Sequence, residues 1–166
     1  MKNFATAAVL LALTTLAGCG FQLRGAASLP FETMHIQAPV GSQFATQLRR
    51  SITNGSQTRI VDNPKEAQAT LQVLNEAREK SILSLSSGGR VREYQLRYRV
   101  SYRVMDRDNR ETVARTEIAL RRDLSYNDAD TLSKESEEAL LYRDMQSDAV
   151  NQMVRQLQMA RVPAKT

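Results

Sequence analysis

Cys19 is the residue with the most definite chemistry. It closes the run Leu16-Ala17-Gly18-Cys19, which has the form of a bacterial lipobox: Ala17 and Gly18 are small enough for a signal-peptidase cleft, and the Cys19 thiol is the acceptor for a diacylglyceryl group. Lys2 supplies a short positive start, and Phe4 to Leu16 a mostly apolar stretch of signal-sequence length. That stretch is shorter than the roughly 20 apolar residues of a membrane-spanning helix. The alternative, a buried apolar helix that ends in cysteine by chance, would have to put the one Cys of the chain at the lipobox position. Other reactive types are scarce. A single Cys excludes an intramolecular disulfide framework and a Cys-cluster zinc site. A single His, His35, argues against a His-rich metal site or a Ser-His-Asp triad and reads as a structural or surface residue. Asp106-Arg107-Asp108-Asn109 interleaves its acids with arginine and has no downstream ligand ladder, so it reads as a turn rather than a metal loop. Ser84-Leu85-Ser86-Ser87-Gly88-Gly89 offers backbone amides but lacks the lysine of a nucleotide-phosphate loop. No pair of residues supports catalysis, and no cofactor or metal is expected.

The remaining chemistry is cationic. The chain carries 18 Arg and 5 Lys, and ten of the arginines fall between Arg90 and Arg122 against five acids. Guanidinium groups stay charged and grip phosphate with two parallel hydrogen bonds, so this segment could recognise anionic lipid heads. It could equally be a solvated sheet face guarded at its edges by charge, or a polar face set against the hydrophilic wall of a partner protein. Residue types alone leave all three open. Lys134-Glu135-Ser136-Glu137-Glu138 opens the last helix and puts acids where the helix dipole favours them. A net charge of +5 and a pI near 9.7 raise the question of nucleic acid, but export makes it a poor partner. The anions at hand outside the inner membrane are lipopolysaccharide phosphates and carboxylates. Several acyl chains on Cys19 would give stable anchoring. Gly20 rather than Asp follows the cysteine, which favours sorting to the outer membrane, facing the periplasm.

These groups have to be positioned by folded elements. Residues 20–32, with Gly20, Gly25, Ser28 and Pro30, read as a tether. Thr33 to Gln37 alternates and predicts a strand closed by Pro39 and Gly41. Ser42 is an N-cap for a helix to about Thr53, with Phe44, Leu48 and Ile52 on one face, Arg49 and Arg50 near its end, and Asn54-Gly55 as its C-cap. Ala69 to about Leu85 predicts a long strand interrupted by the polar run Asn75 to Lys80, followed by a loop tip at Ser86-Ser87-Gly88-Gly89. The strongest pattern is Tyr94, Leu96, Tyr98, Val100, Tyr102 and Val104 at every second position, with Gln95, Arg97, Arg99, Ser101 and Arg103 between them. That is a strand with one buried and one polar face. Asp106 to Asn109 turns the chain into a returning strand, Glu111 to about Leu124, whose Ala114, Thr116, Ile118 and Leu120 join the buried face. From about Ser133 to Ala160 a long helix carries the stripe Leu141, Met145, Ala149, Met153 and Leu157, widened by Val150 and Val154, with Pro163 just beyond its end. The expected architecture is α+β: a two-layer sandwich in which a four-stranded sheet carries two helices on one face. It forms a single domain over 33–160, with 1–18 as signal peptide, 19–32 as acylated tether and 161–166 as C-terminal tail.

Beyond periodicity, the sequence resembles a known family. Cys19-Gly20-Phe21-Gln22-Leu23-Arg24 is similar to the start of the mature LptE (RlpB) lipoproteins, where a Cys-Gly-aromatic-x-Leu-Arg run recurs. Glu93-Tyr94-Gln95-Leu96, after a glycine-containing tip, resembles the central strand of that family. The order of elements and the Lys-Glu-rich opening of the last helix are similar too. The resemblance spans nearly the whole chain after the signal peptide. It implies a non-enzymatic outer-membrane lipoprotein that plugs the large β-barrel LptD, helps that barrel assemble and binds lipopolysaccharide on its way to the cell surface. It also implies binding by basic residues at the loop tip and at the start of the last helix. In this sequence Arg90 and Arg92 stand at the tip and Lys134 at the helix. Two other classes compete with it. A periplasmic-side auxiliary lipoprotein of a phospholipid transport system would need an apolar groove. An enzyme acting on envelope polymer would need an acid/base pair in a cleft, and the sequence gives no reason to place one.

Overall fold

Alternation along Tyr94–Val104 makes a strand that can bury only one face, and the rest of the fold is built on that face. The computed structural model describes residues 28–127 and 130–160. The signal peptide, Cys19 and most of the tether, like the 161–166 tail, lie outside the described residues. In chain order the elements are β1 (Thr33–Gln37), α1 (Gln43–Gly55), β2 (Arg59–Ile60), a 3-10 turn at Pro64–Glu66, β3 (Ala69–Leu85), β4 (Val91–Asp106), β5 (Glu111–Ser125) and α2 (Thr131–Gln158). The strands form one sheet in the order β2-β1-β3-β4-β5. Within it β1 is parallel to both neighbours, and β3, β4 and β5 make an antiparallel meander.

The sheet thus has five strands rather than four. The extra one, β2, is two residues long, too short to show any alternation. It exists because Arg59 N donates to Glu32 O at 2.9 Å and Val61 N to Met34 O at 2.9 Å, contacts that form only once α1 has folded the chain back beside β1. At the start of α1, Ser42 is the N-cap, its Oγ accepting from Ala45 N at 3.0 Å. The other end departs from expectation: Gly55 is the last helical residue and Ser56 caps it, with Ser56 N and Oγ both donating to Ile52 O.

The polar run of β3 does not interrupt the strand. A bulge between Val73 and Asn75 resets the register, and pairing with β4 continues to the tip. Beyond the bulge Glu76, Arg78 and Lys80 lie opposite Val100, Tyr98 and Leu96, on the face that is apolar elsewhere. A second irregularity, between Tyr102 and Val104 in the β4–β5 pairing, puts Val113 opposite Val104. Val113 therefore packs against the core, and Ala114 is exposed instead of joining it.

One hydrophobic cluster joins Leu96, Tyr98, Val100, Tyr102 and Val104 of β4 to Met34, Ile36 and Leu71, to Phe44, Leu48 and Ile52 of α1, and to Met145, Ala149, Met153 and Leu157 of α2. Each fully buried side chain of this size contributes about 1.5–3 kcal/mol. The tyrosines enter the core with their hydroxyls satisfied. Tyr98 Oη donates to Glu76 Oε1 at 2.7 Å, Tyr102 Oη to Gln156 Oε1 at 2.6 Å and Tyr142 Oη to the Glu79 carbonyl at 2.7 Å. Burial pushes the Tyr102 phenol up to about 12 and raises Tyr142, while burial and then the Glu76 acceptor raise Tyr98 further.

Candidate functional site

The β3–β4 tip is closed by backbone bonds: Ser86 N donates to Arg90 O at 2.7 Å, and Gly89 N to Ser86 O at 2.9 Å. Gly89 takes φ +74, a left-handed conformation that a side chain would strain. Ser86 Oγ accepts from Arg90 N at 3.1 Å and so fixes where β4 begins. Arg90 and Arg92 leave this turn exposed, and among the described residues neither side chain has a hydrogen-bond or ion-pair partner. Beside them the end of β3 exposes aliphatic side chains, Ile82 at 58%, Leu83 at 46% and Leu85 at 55%. One end of the molecule therefore presents two free guanidinium groups next to apolar surface.

Lys134 sits differently. Its side chain is only 18% exposed, and Nζ lies 2.8 Å from Glu137 Oε2 and 3.1 Å from Ser125 Oγ. Tyr126 N donates to Arg92 O at 2.7 Å, which holds the exit of β5 against the start of β4 and brings the opening turns of α2 to the tip end of the sheet. Tyr126 also lines two clefts. One, with Ser84, Leu85, Glu93 and Ser125, holds Arg92. The other, about 80 Å³, holds Lys134 together with Lys80, Tyr94, Leu124, Thr131, Glu135 and Glu138. The structure thus sets Arg92 and Lys134 on the two sides of Tyr126, with Arg90 farther out on the tip.

A sequence model of the LptE lipopolysaccharide-assembly family matches residues 30–157, a span that takes in all five strands and nearly all of α2. The chain belongs to the LptE family. The LPS-assembly lipoprotein LptE of Photorhabdus laumondii is 26% identical over 150 residues, covering 89% of this chain and 81% of that protein. The solution structure of lipoprotein B from Nitrosomonas europaea is 44% identical, with a TM-score of 0.74 over 84% of this chain and 90% of that one. Rare lipoprotein B from Shewanella oneidensis, at 25% identity, gives 0.65 over 75% and 92%.

In this LptE-family chain most of the arginine-rich segment is already engaged. Arg97 bonds Gln95, Arg99 pairs with Glu79, and Arg103 reaches Gln72 at 2.7 Å and Glu111 at 3.2 Å. Arg107 caps the Ala67 carbonyl, Arg110 pairs with Asp106 and Asp108, and Arg122 with Asp148. A sheet face neutralised in place accounts for these; among the described residues Arg115 and Arg121 on β5 also lack a side-chain partner, and what sets Arg90 and Arg92 apart is their place at the tip beside exposed aliphatic side chains. The candidate site also contains a cation the sequence reading passed over. Lys80 Nζ stands 4.2 Å above the Tyr94 ring and 2.6 Å from Glu138 Oε2, and Tyr126 meets Tyr94 edge-on at 5.1 Å. No sequence signal marked it: the alternation of Ala69, Leu71 and Val73, continued unbroken, puts Lys80 on the opposite face, and only the bulge between Val73 and Asn75 brings it to the helix side. Arg78, two residues earlier, packs between the Tyr98 and Tyr142 rings at 5.8 and 5.5 Å and donates to Gln146 at 3.0 Å.

Proposed function

We propose that this chain is a non-enzymatic lipoprotein of lipopolysaccharide assembly, seated as a plug in an LptD-type β-barrel, where it assists barrel assembly and binds lipopolysaccharide. Membership of the LptE family supports the pathway. The observation that carries lipid binding is the tip: unpartnered Arg90 and Arg92 beside exposed Ile82, Leu83 and Leu85 match a ligand with phosphates next to acyl chains. Lys134 joins them from the helix side of Tyr126. Each charge-assisted phosphate contact contributes about 1.5–3 kcal/mol when desolvated. The neutralised strand face, with its ladder of Arg, Gln and Glu, suits the hydrophilic lumen of a barrel better than a hydrocarbon surface.

The plug is a single two-layer α+β domain over 33–160, both helices on one sheet face. Side-chain contacts from Ser42 to Glu76, Gln146 to Arg78, Asp148 to Arg122 and Gln156 to Tyr102 support that stacking. Acylated Cys19 tethers the domain to the periplasmic face of the outer membrane, a reading supported by Leu16-Ala17-Gly18-Cys19 and by Gly20 after it.

The test is a mild-detergent pull-down of the tagged lipoprotein from outer membranes, with mass spectrometry of what comes along. A stoichiometric large β-barrel with lipopolysaccharide is expected, and Cys19→Ser should move the protein out of the membrane fraction. A monomer carrying phospholipid and no barrel would overturn the plug reading in favour of a phospholipid-transport auxiliary.

A further inference from the structure

Lys80 and Lys134 come from opposite layers and line the same small cleft, and each amine is held by a carboxylate of α2. We propose that these two amines form a phosphate site in which Glu138 occupies the anion's place at Lys80 until a phosphate group displaces it. The inference rests on the lipopolysaccharide reading above for its biological ligand, but its chemistry, a phosphate monoester or free phosphate between two ammonium groups, stands by itself.

Several observations converge on it. The Lys80 side chain is 35% exposed and Glu138 23%, so the pair sits at the mouth of the cleft, reachable from solvent but partly desolvated. Tyr94 lies under the ammonium at 4.2 Å, and Tyr126, edge-on to it, keeps that ring in place, so Lys80 stays aimed after losing its carboxylate. The cleft, of about 80 Å³, has room for a phosphate group beside the two amines. A carboxylate carries one charge and satisfies one lysine. A phosphate monoester carries about −1.5 to −2 at neutral pH and has three acceptor oxygens, so it can bridge both amines. Partly exposed ion pairs are weak, so displacing Glu138 costs little. Glu135 also lines the cleft.

The experiment uses the purified mature lipoprotein in detergent, titrated calorimetrically with inorganic phosphate, with a bisphosphorylated glycolipid, and with the same glycolipid dephosphorylated. Glu138→Gln should bind both phosphate-bearing probes about tenfold more tightly, and Lys80→Gln about tenfold more weakly. The dephosphorylated probe should distinguish none of the variants. Unchanged or weaker phosphate binding in Glu138→Gln overturns the proposal, and that variant keeps the test decisive if Lys80→Gln does not fold. Glycolipid binding that needs Arg90 and Arg92 but ignores Lys80 and Glu138 removes this site and leaves the lipopolysaccharide reading standing. Inorganic phosphate binding that follows the expected order, with no glycolipid bound, upholds the site and removes that reading instead.

Discussion

The three cations singled out from the sequence differ in what they already do for the folded chain. Among the described residues the side chains of Arg90 and Arg92 are exposed and unpartnered, so no contact of the fold depends on their guanidinium groups. Lys134 is largely covered and bonded to Glu137 and Ser125. Charge reversal therefore separates binding from stability. The double variant Arg90→Glu/Arg92→Glu should unfold in urea within about 0.5 kcal/mol of the parent while losing lipopolysaccharide affinity. Lys134→Glu should cost about 1–2 kcal/mol, because it removes two hydrogen bonds and faces Glu137 with a like charge. Equal stability losses for the two variants would contradict this division. The exposure of Arg90 and Arg92 was legible, since the Ser-Ser-Gly-Gly tip places them outside any core. The environment of Lys134 was not, because Ser125 and the cleft floor belong to other elements.

At the scale of elements, local chemistry announced itself wherever it was strong. The i, i+4, i+8 stripe of Phe44, Leu48 and Ile52 and the cap at Ser42 define α1, and all three apolar residues are fully buried. Ser42 does more than cap. Its Oγ also donates to Glu76 Oε2 at 2.9 Å, so the helix start is tied to β3, and the other oxygen of the same carboxylate accepts from Tyr98. Ser42→Ala should cost about 1–2 kcal/mol by thermal or urea unfolding, the upper part of the range for a lost cap. Ser42→Gly should recover only the backbone share of that loss and leave Glu76 short of a donor. Elements whose cause is tertiary were illegible: β2, which exists only as a partner of β1, the Ser56 cap that replaces Gly55, and the bulge that seats Val113 in the core instead of Ala114.

For the whole molecule, the alternation from Tyr94 to Val104 puts Tyr98 and Tyr102 on the buried face, and both are fully buried at the centre of the sheet. Their phenols make stability sensitive to alkali. In the unfolded chain tyrosine ionises near pH 10. In the folded chain Tyr98, Tyr102 and Tyr142 are all raised, first by burial, so the native state keeps protons that the unfolded state gives up. Stability should be complete below about pH 10 and fall as pH rises beyond it, through about 12 for Tyr102. Urea midpoints measured across that range check it. A flat profile from neutral pH to about 12 would show that the phenols ionise in place, and Tyr102→Phe should shallow the decline.

The amino-acid sequence by itself determined which residues repeat at helix and strand periods, the N-cap at Ser42 and the loop tips, the lipobox with its family resemblance, and the α+β order of elements. All of these are short-range: each depends on neighbours within a turn or a strand. Only the tertiary structure decided the strand count, the faces reversed by bulges, and the meeting of Lys80 with Glu138, 58 residues apart in the chain. A one-residue change of register moves every later side chain to the opposite face. The composition of a cleft between β3, β5 and α2 is therefore fixed when the strands pair and the helix docks.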